Sequence, residues 1–198
     1  MIFDNLFRLC SCRNEVHHSD EDYLLHEQEL NRNLSNANVQ RVQVKGDGNC
    51  LFYALAQGLI YEMKKDANYF GRQLQTFGLS ADLPLTSFAK RLRQICVEQW
   101  KLNEDFYSQF LSTENISFTK ELRRFSKTGV SDSTLGDVVP LTIANTFNID
   151  ILIITSLANL AQIEVKPSQQ SSSTYRKVIY LAYNQYDLGH YDAAYHRN

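Results

Sequence analysis

Apolar positions recur along the chain with two periods. From Cys50 onward, Leu51, Leu55, Leu59 and Met63 step by four, with Phe52, Ala56 and Ile60 beside them. A stripe that wide predicts a helix largely buried in a core. Gly58 within it is about 1 kcal/mol less favourable than alanine, which argues for a close packing contact there. A second helix is predicted over "LTSFAKRLRQICVEQWKLN", with Thr86 or Ser87 as its cap and Phe88, Leu92, Ile95, Cys96 and Trp100 on its apolar face. A third contains Pro140 and must hold it in the first turn, which sets its cap near Gly136 or Asp137. "EDFYSQFLS" and "FTKELRRFSKTG" predict shorter helical pieces, the latter ended by Gly129. Residues 19–36 carry a narrower stripe. Ser19 caps it, Asp20 and Glu21 suit its first turn, and Tyr23, Leu30 and Leu34 share a face that Glu27 interrupts.

Period-two and continuous apolar runs predict strands. Residues 39–45 alternate, and residues 149–155 form a nearly unbroken β-branched run expected of a buried central strand. "AQIEVK" and "RKVIYLAYN" are two further strands. Residues 66–84 are mixed and predict a loop-rich insertion, and residues 168–175 a polar surface loop. The order is helix, strand, several helices, then strands. It predicts an α+β fold with a small central β-sheet sandwiched between helices. The expected organisation is a flexible tail over 1–18, an N-terminal helix over 19–36 and a main domain over 37–198.

Composition narrows the function classes. The 198 residues are 43% apolar and 21% charged, ordinary for a globular domain. A net charge of −2 gives no global attraction to nucleic acid or anionic membranes. No stretch approaches the roughly 20 apolar residues of a membrane helix, and the first residues lack the pattern of a signal peptide. Cys10, Cys12, Cys50 and Cys96 do not form a disulfide framework, which favours a reducing compartment and a cytoplasmic location. "CSCRNEVHH" matches no standard zinc spacing, so no metal is expected.

Two segments carry candidate chemistry. In "GDGNCLFYAL", a turn of successive backbone N–H groups runs into the helix that Cys50 begins, with Asn49 as its cap. A helix N-terminus favours a thiolate and can stabilise an oxyanion. The alternative is a small core cysteine, the reading preferred for Cys96. A cysteine nucleophile needs a histidine, and that histidine an orienting group. His17, His18 and His26 lie in the tail or first helix and are expected on solvated surface; His196 is near the terminus. His190 stands apart. If "HYDAAY" is extended, His190 and Asp192 project to one face, where the carboxylate can fix the imidazole tautomer. The alternative is a loop histidine hydrogen-bonded to Asp192.

"GDGNCLFYAL", followed about 140 residues later by "GHYDAAY", resembles the ovarian tumour (OTU) family of deubiquitinating cysteine proteases. Asp47 to Ala54 fit the family's Asp–x–x–Cys motif at the head of a helix, and His190, Tyr191 and Asp192 its closing His–aromatic–Asp. "LRQICVEQW" and "LGDVVPLTIANTFNIDILII" resemble the intervening helices and core strand. The resemblance covers roughly residues 39–196. One departure is visible: Leu135–Gly136 stands where many members carry Trp–Gly before the helix containing Pro140.

The resemblance implies a papain-like OTU fold over 37–198 and a ubiquitin-specific isopeptidase. Cys50 would attack the carbonyl joining the ubiquitin C-terminal glycine to a lysine, and His190 would move the proton. Asp192 would orient His190. Asp47 would shape the loop whose backbone N–H groups, at Asp47, Gly48, Asn49 and Cys50, bind the oxyanion. Neither metal nor cofactor is implied. The partner would be ubiquitin or polyubiquitin, met by a monomer in the cytosol, or in a host's cytosol if the protein is an injected bacterial effector. Residues 66–84 and the loop 168–176 would contact the body of ubiquitin. Two alternatives stay open: a catalytically weak OTU-fold ubiquitin-binding module, and a protease for another ubiquitin-like modifier.

Overall fold

A computed structural model describes residues 20–111, 117–130, 133–168 and 176–197. The expected tail with Cys10, Cys12, His17 and His18, and nearly all of the polar segment 168–176, lie outside the described residues. Among those described, the helices are α1 (Asp20–Asn36), α2 (Cys50–Lys65), α3 (Ala67–Thr76), α4 (Leu85–Leu102), α5 (Glu104–Tyr107), α6 (Phe118–Phe125) and α7 (Val139–Phe147). The strands are β1 (Val39–Val42), β2 (Asp150–Thr155), β3 (Gln162–Val165), β4 (Val178–Asn184) and β5 (His190–His196). They form one five-stranded sheet in the order β1-β5-β4-β2-β3. Only β2 and β4 pair in parallel; β5 runs antiparallel to both β1 and β4.

Helices cover both faces of this sheet, the expected α+β arrangement. On one face α2 packs through Leu55, Leu59 and Ala56 against Ile179, Leu181 and Ala193, with α4 and α7 beyond. Gly58 lets this layer come close. A β-carbon there would stand 2.6 Å from Ile179 Cγ2, so the contact needs glycine. On the opposite face lies α1. Its Leu30 and Leu34 meet Val39, Ile154, Ala182 and Ala194 in a second, smaller cluster. Alternation along β5 thus sends Ala193 toward α2 and Ala194 toward α1.

Several sequence-based expectations need correction. Residues 66–84 are not mainly loop. Asp66 Oδ1 accepts the Tyr69 N–H at 3.1 Å and caps α3, whose Phe70 and Leu74, one turn apart, are fully buried. Two core residues in a polar decamer made too faint a stripe to register. α4 begins at Leu85 with Pro84 before it, so Thr86 and Ser87 lie inside its first turn rather than capping it. A 3-10 turn over Thr134–Val138 takes up the segment around Gly136 and Asp137, and α7 starts only at Val139, with Pro140 in its first turn. α6 ends at Phe125, short of Gly129. β1 stops at Val42 because the Val44 N–H turns to Asp192. His26 is not a solvated surface group: it is half-buried, with Nδ1 2.9 Å from Ser156 Oγ and its ring against Tyr186.

Candidate active site

The turn before α2 is built by hydrogen bonds from within and from afar. Asp47 Oδ1 accepts the backbone N–H of Asn49 at 3.1 Å and its side-chain amide at 3.0 Å, and Tyr53 Oη donates to Oδ2 at 3.3 Å. These bonds outweigh desolvation, which acts in the opposite sense, and hold the exposed Asp47 carboxyl below its ordinary range. Asp47 is therefore a loop former. Its hold on the Asn49 N–H directs that donor at the loop itself. Gly48 has φ +76°, and a β-carbon there would collide with the Gly129 carbonyl oxygen.

Arg93 of α4 locks this turn from beneath. Its guanidinium is buried and donates to the carbonyls of Phe125 (3.1 Å), Val130 (3.0 Å) and Gly48 (3.2 Å) and to Asn49 Oδ1 (3.0 Å). The rings of Phe52 and Phe125 flank it, with centroids at 4.5 and 4.7 Å. Asn49 Oδ1 also accepts the Gly129 N–H at 3.0 Å. Asn49 thus precedes the helix as expected, but its side chain ties two loops together instead of capping α2.

Cys50 opens α2, partly buried, beside His190 at the start of β5. Burial alone would raise its thiol. Hydrogen bonding to the His190 side chain and the Tyr191 and Leu51 amides, together with the imidazolium charge, outweighs that and lowers it below 9.0. His190 responds in the opposite direction. Hydrogen bonds to Asp192 and then to Cys50 raise it from 6.5 to about 10, against the effect of burial. The two shifts describe one tightly coupled pair favouring thiolate and imidazolium. His190 Nε2 lies 3.1 Å from Asp192 Oδ1, which leaves Nδ1 for the sulfur. The fold therefore brings together Cys50, His190 and Asp192 from segments 140 residues apart, with Asp47 directly after Gly46, where a β-carbon would stand 3.4 Å from His190 Nδ1. A narrow cleft lined by Gly48, Cys50, Tyr183, Leu188, Gly189 and Tyr191 leads to the thiol.

Asp192 is 1% exposed and fully partnered. Oδ1 accepts the Val44 N–H at 2.7 Å as well as the imidazole, and Oδ2 accepts Arg41 Nε at 2.6 Å. Burial pushes this carboxyl up, but the imidazole, the amide and the guanidinium win and hold it low. Arg41 and Arg93 were not among the residues singled out from sequence. The signal existed for Arg93: it sits four residues after Ala89 and three before Cys96, on the buried stripe of its helix. Cys96 is fully buried, and burial raises its thiol strongly. No group of three or more His, Cys, Asp or Glu residues suited to a metal is found among the described residues. Nor, among them, is any helix long and apolar enough to cross a membrane.

Comparison with known proteins bears on this geometry. No family model matches the chain. The isolated OTU domain of OTUD1 superposes with a TM-score of 0.61 at 17% identity, covering 87% of this chain and 96% of that one. The chain has the OTU fold. The OTUB1 protein in a complex with ubiquitin aldehyde and UBCH5B~Ub matches equally, at TM-score 0.61 and 17% identity over 98% of this chain and 88% of that one. In sequence, the OTU-like chain is 27% identical over 177 residues to ovarian tumor domain-containing deubiquitinating enzyme 10 of Arabidopsis thaliana. That match covers 89% of this chain and 40% of the relative's length. The resemblance carried by "GDGNCLFYAL" and "GHYDAAY" therefore extends over most of the OTU-like chain, in sequence and in fold.

Proposed function

We propose that this chain is a ubiquitin-directed cysteine isopeptidase. The observation that carries the reading is the meeting of Cys50, at a helix N-terminus, with the His190–Asp192 pair at the start of β5. It is supported by the OTU fold and by the resemblance to a deubiquitinating enzyme. OTUB1, which shares the fold, is known in complex with ubiquitin aldehyde, so the C-terminal tail of ubiquitin is the natural candidate for the cleft beside Cys50.

The chemistry follows from the geometry. The Cys50 thiolate adds to the carbonyl of the ubiquitin C-terminal glycine. Backbone N–H groups of the 47–50 turn stabilise the resulting oxyanion, and Arg93 keeps that turn rigid so that little reorganisation is needed. The imidazolium of His190 gives its proton to the departing lysine amine, leaving a thioester on Cys50. Neutral His190 then draws a proton from water, which attacks the thioester and frees the ubiquitin carboxylate. Asp192 holds the ring and its charge throughout. A reduced thiol is required, which suits a cytosolic setting.

The test is a panel of all di-ubiquitin linkages, wild type beside Cys50→Ala. Cysteine-dependent cleavage of one or more linkages supports the reading. Binding of ubiquitin with turnover no faster than Cys50→Ala would instead indicate a binding module, and cleavage only of another ubiquitin-like modifier would redirect the substrate.

A further inference from the structure

We propose that Glu27 of α1 and Arg41 of β1 are positioning residues for the His190–Asp192 pair, making the N-terminal helix a working part of the active site. The inference rests on the cysteine-protease reading above and adds residues to it.

Register explains why this is possible. His190, Asp192 and Ala194 share the face of β5 that α1 covers, opposite the face on which α2 packs. Arg41 pairs with Ala194, so its side chain reaches Asp192 diagonally across the same face. Arg41 Nε donates to Asp192 Oδ2 at 2.6 Å, while its Nη1 donates to both Glu27 oxygens, at 3.1 and 2.8 Å. Glu27 Oε1 also accepts the side-chain amide of Asn184, which stands opposite His190 in the sheet, at 2.5 Å. The charged groups facing Arg41 are thus Glu27 from α1 and Asp192 from β5, and behind Asp192 stand His190 and Cys50. The arrangement alternates in sign from carboxylate to guanidinium to carboxylate to imidazolium to thiolate.

Each link has a physical consequence. Arg41 occupies the Asp192 oxygen that faces away from His190 and fixes the carboxylate plane. Unbalanced, that cation would draw charge from Asp192 and disfavour the imidazolium. Glu27 balances it. Leu30 and Leu34 anchor α1 one and two turns beyond Glu27, so the carboxylate is placed by the same packing that closes this face of the sheet. A lysine cannot replace Arg41, because a single ammonium cannot span both carboxylates in this forked geometry.

The experiment compares Glu27→Gln, Glu27→Ala, Arg41→Lys and Arg41→Met with Glu29→Ala. Glu29 pairs with solvent-exposed Arg32 on the same helix and serves as the control. Two readouts are followed from pH 5 to 10: kcat and KM on a ubiquitin substrate, and the rate of Cys50 alkylation by iodoacetamide, resolved by peptide mapping. The second needs no ubiquitin, so failure of the substrate reading and failure of this inference can be told apart. Expected is a drop in kcat of about tenfold for Glu27→Ala and more for Arg41→Met, with KM within about twofold. In the Glu27 variants the acid limb of Cys50 alkylation should move to higher pH, because the unbalanced Arg41 makes the imidazolium less stable and so supports less thiolate, whereas Arg41→Met, with that cation gone, should move it to lower pH. Glu27→Gln should fall between wild type and Glu27→Ala, and Glu29→Ala should match wild type. If Arg41→Met does not fold, Glu27→Gln and Arg41→Lys decide. Lowered melting temperatures with wild-type kcat and an unshifted alkylation profile in the folded variants would overturn the proposal.

Discussion

Replacing Arg93 with methionine removes what holds the turn before Cys50 while keeping most of the side-chain volume. Four hydrogen bonds are lost, to Gly48, Asn49, Phe125 and Val130. At the low end for charged donors, about 1.5 kcal/mol each, they amount to roughly 6 kcal/mol. Contact with the two flanking rings adds about 1–2 kcal/mol. Against this stands the desolvation of a buried guanidinium, several kcal/mol, which methionine does not suffer. The difference leaves a net destabilisation of about 3 kcal/mol, or a melting temperature lower by about 6–12 °C for a domain of this size. Urea unfolding followed by circular dichroism measures the first quantity, and a thermal melt the second. Because the Gly48 carbonyl and Asn49 are released, kcat on a ubiquitin substrate should fall further than stability alone explains. That part is checked at a temperature where the variant is fully folded. Arg93→Met with stability within about 0.5 kcal/mol of wild type and unchanged kcat would refute the reasoning, since a typical surface substitution does no more.

Asp192→Asn weakens the hydrogen bond that does most to raise His190 and removes the carboxylate charge that adds to it, so the imidazolium should lose its proton well below about 10. The pH–rate profile is expected to be bell-shaped, with its acid limb set by the thiolate and its alkaline limb by the imidazolium. In the variant the alkaline limb should move toward neutral and the plateau narrow; an unmoved limb would contradict the assignment. Gly58→Ala should destabilise the fold even though alanine is about 1 kcal/mol the better helix residue, because its β-carbon meets Ile179 Cγ2. Chemical denaturation measures the sign, and Ile179→Ala in the same chain should recover part of the loss.

Much of this architecture was legible in the sequence. The breadth of the stripe over α2 and the β-branched run of β2 announced buried elements, and both formed there. Cys50, His190 and Asp192 were candidates because each lies in a short stretch with its own local logic, a turn into a helix and an alternating strand, and the resemblance to the OTU family singled them out over the core-cysteine and loop-histidine alternatives. α3 was missed because two buried residues in a polar helix carry little periodic signal. Arg41, Glu27 and Arg93 were missed for a different reason. Their partners lie 151, 14 and up to 45 residues away, and no local pattern specifies a contact across a sheet or between loops. What the sequence did contain was the anomaly that accompanies such residues. Glu27 breaks the apolar face of α1, and Arg93 sits on the buried face of α4. A charge on a buried stripe is a question about its partner, and here both answers lie next to Cys50 or His190.

The most direct measurement is labelling by ubiquitin carrying a C-terminal electrophile, followed by intact mass and peptide mapping. The account predicts a single ubiquitin adduct on folded wild-type protein, located at Cys50, and none on Cys50→Ala although Cys10, Cys12 and Cys96 remain. An adduct that persists in Cys50→Ala, or folded wild-type protein that never forms one, would contradict it.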